Sequence, residues 1–447
     1  MKAVVVGGGL AGSLLAVYLA RRGHAVDVFE RHSDARSGHG VKRASVNITL
    51  CERGLQALAK LGLRDGVIAR AAPVYGRTIH AIDGATTYQP YGHRGELIYS
   101  IARSELNDIL VDFADRQPGV HFHFDQKCTH VDLARASAKF DGTRSGVPSD
   151  VQADLLFGAD GAYSIVRGHF QRRDLFNYSQ QYWHQGYTTM RIPPRAEGTP
   201  VLESGSLHIW PRGEWMLIGF PNLDGAVSCS LLMPFRGRDS YESTTTDIAL
   251  ISLFRRLFPD AVELIPQLSQ QFFSTPRNSL LTVRCDPWSF ADKSLLLGDA
   301  AHAILPSYGQ GANAAFEDCA ILDECATDHP LDWRAAFLDF ERRRKPNMDA
   351  IATLCVEHFA ELSKLVGDPA FLKRREIERQ IHDLYPALYQ PLYSMVTFSD
   401  TPYLDAIQID RDLRTLVDRI MEAPEPAAEI KGHDFRNLLE GAVHRTR

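Results

Sequence analysis

The sequence predicts an α/β protein with a parallel sheet, joined by an antiparallel (α+β) layer and a C-terminal helical region. Three observations support this fold class. The first 30 residues read as strand, helix and strand, which is the βαβ unit of a parallel sheet. Short alternating runs between Gly186 and Met233 are separated by Pro, Gly and Asn, which indicates antiparallel strands. After about Trp333 the chain has helical spacing and long charged segments.

The βαβ opening can be assigned element by element. Val4–Val6 is a β-branched run that leads into glycines, and Leu10–Arg22 has the apolar spacing of a helix. Gly23 is a typical C-terminal stop for that helix. Ala25–Glu30 then predicts the second strand.

The glycines between the first strand and the helix fill the positions of a Rossmann dinucleotide-binding fingerprint. The first permits a tight turn, the second lets backbone approach a pyrophosphate, and the third lets helix and strand pack closely. The N-terminus of the helix would face the phosphates, and an acid ending the second strand would accept hydrogen bonds from a ribose. The residues expected to contact the dinucleotide are Gly7, Gly9, Leu10, Ala11, Gly12, Glu30 and Arg31.

Two further motifs place an aspartate at the end of an apolar strand. Asp160-Gly161 follows Leu155–Phe157, and Gly298-Asp299 follows Leu295–Leu297. Asp299 could accept hydrogen bonds from a polyol chain, although either aspartate could also be a plain helix cap. The glycine-rich segment after Asp299 would let backbone N–H groups approach a flavin ring. Its expected contact residues are Gly309, Gly311, Ala312 and Asn313.

These three motifs occur in the order found in class A flavoprotein monooxygenases, which the chain resembles. Other segments are similar to the kynurenine 3-monooxygenase family in particular, and the likeness extends to about Tyr403. They are Ser45–Leu50, Asp174–Gln181, Leu207–Arg212, Phe316–Cys319 and Pro391–Phe398.

The resemblance implies FAD as cofactor, NADPH as transient reductant and O2 as co-substrate. One oxygen atom would enter an electron-rich aromatic ring through a flavin C4a-hydroperoxide, while the protein orients the ring and excludes water. Asp160-Gly161 would bear on FAD and NADPH, and Arg103 would contact the flavin. The residues placed beside the flavin ring, and so counted as catalytic, are Pro306, Ser307, Tyr308 and Gly309.

The resemblance also implies a carboxylate-binding group made by Arg77, Tyr91 and Tyr393. Arginine offers a planar two-pronged donor to a carboxylate, and a tyrosine hydroxyl adds another donor. The sequence alone would equally allow a surface salt bridge for Arg77. The substrate implied is kynurenine or a close aryl amino-acid relative.

Four positions depart from the family pattern. His358 replaces a substrate-contacting Asn, Leu362 replaces a Met, Ser307 replaces a Phe beside the flavin, and Ala44 replaces an Arg. The changes are explained either by drift with compensation or by an altered substrate. An altered substrate would make the protein a tailoring hydroxylase of secondary metabolism that acts on a modified aromatic acid.

Two other classes of function remain open at this point. A flavin reductase or halogenase would use the same motifs, but the halogenase signature Trp-x-Trp-x-Ile-Pro is absent. A non-enzymatic escort protein would share the fold, and the intact FAD motifs argue against it.

Bulk properties bound the remaining choices. The net charge of −6 disfavours nucleic-acid binding. The seven cysteines are widely spaced, which favours reduced thiols, and no metal site is expected. The chain has no run long enough for a transmembrane helix and lacks the membrane anchor of eukaryotic relatives, so a cytoplasmic location is expected. The oligomeric state stays open.

The length of 447 residues predicts two or three domains. The FAD-binding domain is expected to comprise residues 1–70, 101–175 and 281–330, and the substrate domain residues 71–100 and 176–280. Capping helices are expected over 331–420 and a flexible tail over 421–447.

Overall fold

The computed structural model describes residues 1–37, 46–92, 95–144, 146–364 and 369–446, without the side chains of 362–364, 369, 371–372 and 442–446. The departure at Ala44 and the side chain of Leu362 lie outside the described residues. The strands are β1 Lys2–Val6, β2 Ala25–Phe29, β3 Asn47–Leu50, β4 Ala72–Val74, β5 Gly76–His80, β6 Thr86–Pro90, β7 Ile98–Ala102, β8 Val120–His123, β9 Gln126–Asp132, β10 Ser137–Gly142, β11 Pro148–Gln152, β12 Leu155–Gly158, β13 Asn177–Ile192, β14 Ser206–Arg212, β15 Trp215–Pro221, β16 Val227–Pro234, β17 Asn278–Asp286, β18 Ser289–Phe290 and β19 Ser294–Leu296. The helices are α1 Leu10–Arg21, α2 Glu52–Ala59, α3 Arg64–Ile68, α4 Arg103–Asp115, α5 Ile165–Phe170, α6 Asp247–Leu257, α7 Leu268–Ser274, α8 Asp299–His302, α9 Gly311–Asp328, α10 Trp333–Lys364, α11 Pro369–Leu384, α12 Leu392–Phe398, α13 Tyr403–Glu422, α14 Pro426–Lys431 and α15 His433–Thr446.

A six-stranded sheet contains the predicted βαβ opening. Its order is β18-β19-β12-β1-β2-β8, and every pair except β18–β19 is parallel. Because the carboxyl ends of parallel strands meet at one edge, the loops after β1, β12 and β19 come together. The three glycine and aspartate motifs lie on those loops. The predicted α/β class with an added antiparallel layer is confirmed.

A seven-stranded sheet forms the second layer, in the order β17-β13-β16-β15-β14-β5-β6. All neighbours are antiparallel except β14 and β5. One face packs against α6 and α7 through a separate apolar cluster around Trp210, Leu231 and Phe254. The alternating runs predicted between Gly186 and Met233 are the strands β13 to β16 of this sheet.

The end of the chain differs from the flexible tail expected for 421–447. It forms α14 and α15, and Ile430, Phe435 and Leu439 are buried against α11 and α13. The hydroxyl of Tyr385 also donates to the carbonyl of Ile430 over 2.8 Å. Pro424 and Pro426 suggested a loop, but the apolar spacing after them supplies a helical face that buries itself.

Two general findings concern the described residues. None of the helices there is both long and apolar enough to cross a membrane. All seven cysteines are buried free thiols, in line with the widely spaced pattern in the sequence.

Truncation of Phe435 tests the packing of the last helix. Phe435→Ala should lower the free energy of unfolding by about 3 kcal/mol, because it leaves a cavity in a buried cluster. Leu438→Ala is the matched control, since Leu438 is 39% exposed on the same helix. Thermal unfolding of both variants measures the effect. Equal melting temperatures would show that this helix does not pack as described.

Candidate active site

The loop after β1 is shaped by two glycines. Gly7 has φ of +106°, and a Cβ there would lie 2.4 Å from the carbonyl oxygen of Ala159. A Cβ on Gly12 would lie 1.9 Å from the carbonyl oxygen of Gly7. Neither position accepts a side chain, so α1 packs directly on the strand that precedes it.

The N-terminus of α1 is left open toward the same edge of the sheet. A Cβ added at Gly9 would meet no atom within 4 Å, and no side chain caps the helix. Glu30 accepts the backbone N–H groups of Gly8 and His32, each over 2.9 Å. The Glu30 carboxylate therefore orders this loop as well as facing its edge, while Arg31 is exposed beside it.

The Gly298-Asp299 motif packs against this cradle. A Cβ on Gly298 would lie 3.2 Å from Cβ of Ala11, which brings the motif onto α1. Asp299 starts α8, and within the described chain its carboxylate makes no hydrogen bond. Burial raises the pKa of Tyr187, Arg103 opposes that rise and Asp299 adds to it. Asp299, Arg103 and Tyr187 thus surround one region beside the cradle.

The segment 306–313, named here the 306–313 loop, ends at the N-terminus of α9. Pro306 begins its 3₁₀ turn and Gly309 has φ of +66°. The amide of Asn313 donates to the carbonyls of Thr49 and Gly309 over 2.9 and 2.8 Å and accepts the N–H of Cys51. The loop is therefore fixed to β3. Gly311 and Ala312 form the uncapped first turn of α9.

Asp160 accepts hydrogen bonds at the start of α5. Its carboxylate accepts the Ser164 hydroxyl over 2.5 Å and the N–H groups of Ile165 and Val166 over 2.7 and 3.2 Å. Burial raises its pKa and these donors oppose the rise. Gly161, with φ of +82°, makes the turn between the strand and this helix. The N-cap residue of α5 is Ser164, and Asp160 accepts its hydroxyl together with the first N–H groups of the helix, so the motif fixes α5 beside the cradle.

The cradle fits a dinucleotide with a flavin. Two glycine positions exclude side chains, and the uncapped starts of α1 and α9 offer N–H groups to anionic or carbonyl oxygens. The carboxylate of Asp299, which accepts no hydrogen bond from the described residues, supplies an acceptor for hydroxyl groups. These features match the three parts expected for FAD: pyrophosphate, polyol chain and ring.

A cluster of aromatic side chains, named here the aromatic pocket, includes Tyr308 of the 306–313 loop. The guanidinium carbon of Arg77 is 5.5 Å from the ring centre of Tyr393, and the rings of Tyr91 and Tyr393 stack at 5.7 Å. Tyr308 stacks on Tyr393 at 5.7 Å and lies 4.3 Å from the His358 ring. The structure therefore brings together Arg77, Tyr91, Tyr308, His358 and Tyr393.

The two described departures from the family pattern have different contacts. His358 is 3% exposed, and its Nδ1 lies 3.3 Å from Oε2 of Glu361. Burial lowers the pKa of His358, so the ring is neutral at neutral pH. The Ser307 hydroxyl instead donates to the carbonyl of Cys355 over 2.6 Å. Ser307 ties the loop to α10, whereas the His358 ring lines the pocket.

A buried carboxylate joins the cradle to the helices. Asp318 on α9 accepts the N–H of Gly298 over 3.1 Å, and it pairs with His302 at 2.6 Å and with Arg344 at 2.7 Å. Burial alone would raise its pKa, but His302 and Arg344 lower it to about 2. Asp318 therefore remains charged although its side chain is fully buried.

A second part of this network reaches the C-terminal region. Glu317 pairs with Arg344 at 2.5 Å and with Arg53 at 2.6 Å. Arg53 donates to the carbonyl of Thr401 over 2.7 Å and lies 4.1 Å from the Tyr403 ring centre. The segment between α12 and α13 is thereby held against α2 and α9.

Sequence reasoning missed several of these residues. Tyr187, Arg53, Arg344 and Thr49 were not singled out, because their partners are distant in the chain. Gln310 could have been found, because it lies inside the glycine-rich loop that the sequence places beside the flavin. In the structure its side chain accepts the Tyr403 hydroxyl over 2.9 Å.

The pKa of Asp318 makes a prediction about acid stability. Because the pKa of Asp318 is lowered in the folded protein, its ionisation stabilises the fold at pH values above the ordinary aspartate pKa. This contribution is lost as the pH falls toward about 2. Wild-type protein should therefore lose about 2–3 kcal/mol more than Asp318→Asn between pH 5 and pH 2. At neutral pH the variant should already be less stable by about 3–5 kcal/mol.

Urea unfolding across this pH range measures the difference. Asp323→Asn is the control, because Asp323 lies on the same helix but pairs with Arg22 at a partly exposed site. Parallel pH profiles for wild type and Asp318→Asn would contradict the assignment.

Known sequences give a consistent result. Residues 1–196 match a family model described as an FAD binding domain. The kynurenine 3-monooxygenase of Flavobacterium johnsoniae is 44% identical over 409 residues, which cover 92% of this chain and 91% of that protein. The kynurenine 3-monooxygenase of Christiangramia forsetii is 43% identical over 420 residues, 94% of each chain.

Solved structures agree on the fold. A tetrameric 2-methyl-3-hydroxypyridine-5-carboxylic acid oxygenase matches with a TM-score of 0.67 at 22% identity, over 83% of this chain and 95% of that one. Klebsiella pneumoniae HpxO complexed with FAD matches with a TM-score of 0.68 at 19% identity, over 86% and 98%. With the cradle, the pocket and relatives that align over nine-tenths of its length, the chain belongs to the kynurenine 3-monooxygenase family of FAD-dependent aromatic hydroxylases.

Proposed function

We propose that this protein hydroxylates the aromatic ring of L-kynurenine, using FAD, NADPH and O2. The observation that carries the proposal is the position of Arg77, a cation among aromatic side chains at the edge of the 306–313 loop. A substrate with a carboxylate at one end and an aromatic ring at the other fits this arrangement. The close relatives named kynurenine 3-monooxygenase support the same choice.

The cofactor would be held by residues of the cradle. Gly7–Gly12, Glu30, Arg103 and Asp299 would hold FAD, with the 306–313 loop beside its ring. When bound, FAD accepts hydride from NADPH and activates O2, so that one oxygen atom enters the substrate and the other leaves as water.

The protein's own contribution is binding and orientation. Arg77 would pair with the substrate carboxylate through two parallel N–H donors, and the Tyr91 hydroxyl would add a third. Burial raises the pKa of Tyr91 well above its ordinary value, which keeps its hydroxyl as a donor. Tyr308 and Tyr393 would orient the aromatic ring by stacking. Helices α10 and α12 cover the pocket and exclude water, which would otherwise divert reducing equivalents to H2O2.

A modified kynurenine is the second candidate substrate. His358 favours it, because a buried neutral imidazole held by Glu361 presents a different polar group from the Asn of the family. Ser307 gives no such support, since its hydroxyl is used by the carbonyl of Cys355.

Turnover with labelled oxygen tests the reaction. L-kynurenine should stimulate NADPH oxidation, and the product should be heavier by one oxygen atom that carries label from 18O2. Efficient turnover with little H2O2 would favour L-kynurenine over the modified substrate. Weak, uncoupled turnover that improves in Ser307→Phe/His358→Asn would favour the modified substrate. Label from water would contradict oxygen activation at the flavin.

The carboxylate contact makes a separate prediction. Arg77→Ala should raise KM for L-kynurenine by an amount equivalent to about 2–5 kcal/mol, because a charge-assisted pair in a closed site is lost. FAD content should not change. Tyr91→Phe should raise KM less.

A matched control is available on the same sheet. Arg191 on β13 is half-exposed and pairs with Asp224. Arg191→Ala should leave KM within about twofold, as expected for a surface ion pair. Unchanged KM in both Arg77→Ala and Tyr91→Phe would show that the carboxylate binds elsewhere.

A further inference from the structure

A chain of titratable groups is buried on the α6–α7 side of the seven-stranded sheet. His208 Nε2 lies 2.9 Å from the carbonyl oxygen of Glu203, and His208 Nδ1 lies 3.0 Å from His80 Nε2. His80 Nδ1 lies 3.1 Å from Oδ2 of Asp260, in the segment between α6 and α7. The Trp210 indole also donates to that oxygen, over 2.7 Å. The proposed hydroxylation uses none of these groups.

The number of protons in this chain follows from its ends. The Glu203 carbonyl can only accept a hydrogen bond, and an ionised Asp260 carboxylate can only accept as well. Three hydrogen bonds connect the four groups, and each needs one proton. Two neutral imidazoles carry only two N–H groups between them. A third proton must therefore be bound.

The environment decides which group holds the third proton. Burial lowers the pKa of His208 to about 4, which makes His208 a poor site for it. Asp260 Oδ2 accepts the Trp210 N–H and also faces His80 Nδ1, and an oxygen placed between two such nitrogens favours the ionised carboxylate. The remaining position is His80, whose ring then has N–H groups on both sides. Arg212 faces the same strand, where it donates to the carbonyl of His80.

His80 is connected to the pocket through its strand. Arg77 and His80 both lie on β5, where Arg77 and Ile79 are half-buried while Thr78 and His80 are buried. Side chains alternate between the faces of a strand, so His80 holds β5 from the side opposite Arg77. Thr78 strengthens the same face through its hydroxyl, 2.8 Å from that of Ser206.

We propose that His80 is a buried imidazolium at neutral pH and that its pair with Asp260 is a positioning element for Arg77. The proton requirement follows from the hydrogen-bond chain alone. The positioning role rests on the proposed function, because it takes Arg77 as the carboxylate-binding residue. The first experiment therefore does not depend on any substrate.

Nitrogen NMR of the FAD-loaded protein with ring-labelled histidine measures the protonation state directly. His80→Gln assigns the signals by their loss. At neutral pH both nitrogens of His80 should resonate as protonated, and His208 should have one protonated nitrogen. In Asp260→Asn, His80 should become neutral, because the amide can donate to Nδ1 without a charge. One unprotonated His80 nitrogen in wild type would overturn the proposal.

Kinetics test the positioning role. Asp260→Ala should raise KM for L-kynurenine about tenfold, which corresponds to about 1.4 kcal/mol, while kcat stays within about twofold. Asp260→Asn should raise KM less than Asp260→Ala does. Its amide N–H can donate to His80, but it cannot accept the Trp210 N–H that the same carboxylate oxygen accepts in the wild type. Glu214→Ala is the control, because Glu214 pairs with the exposed His184 on the same sheet.

The outcomes separate the two proposals. Unchanged KM in Asp260→Ala beside a doubly protonated His80 would overturn the positioning role. If L-kynurenine is not hydroxylated at all, the proposed function fails, while the NMR result still decides the state of His80.

Discussion

The buried carboxylate of Asp318 is the contact on which the rest of the site depends. It accepts the N–H of Gly298, so the turn that carries the cofactor-facing Asp299 is fixed from below. Its charge is compensated by Arg344, and His302 lies at hydrogen-bond distance from the same carboxylate. An unpaired charge at this depth would cost several kcal/mol, so the three partners must be present together. The parallel sheet, α9 and α10 are thereby held in one arrangement.

This network also connects the cofactor cradle to the substrate pocket. Arg344 shares Glu317 with Arg53, and Arg53 holds the carbonyl of Thr401. Thr401 lies three residues after the end of α12, the helix that supplies Tyr393 to the pocket. A shift of α12 would therefore disturb ion pairs that reach back to α9. Such coupling suits a reaction in which the substrate ring must stay in register with a reactive cofactor.

Local patterns predicted much of this fold and of the cradle, because glycine spacing and strand periodicity are short-range signals. Gly7, Gly12 and Gly298 lie in the cradle at the positions that the sequence motifs predicted. The long-range contacts had no such signal: Arg53 and Glu317 are 264 residues apart, and the pocket combines β5, the 306–313 loop, α10 and α12. The flexible tail expected for 421–447 is wrong, because the apolar spacing that begins at Ile430 forms a buried helical face despite the nearby prolines. Residue chemistry at a position can be inferred from sequence, whereas its partner is set by topology.

The arginine of the pocket has different partners from the arginines of the network. Arg53 and Arg344 are buried and form ion pairs with carboxylates of the same chain. Arg77 meets the ring of Tyr393, and across the described residues it forms no ion pair. A guanidinium beside aromatic faces keeps its N–H donors in place without neutralising them. Within the part of the chain that the structure describes, the sheet therefore presents to the pocket a cation without an acidic partner, which is the electrostatic condition for selecting an aromatic substrate that carries a carboxylate.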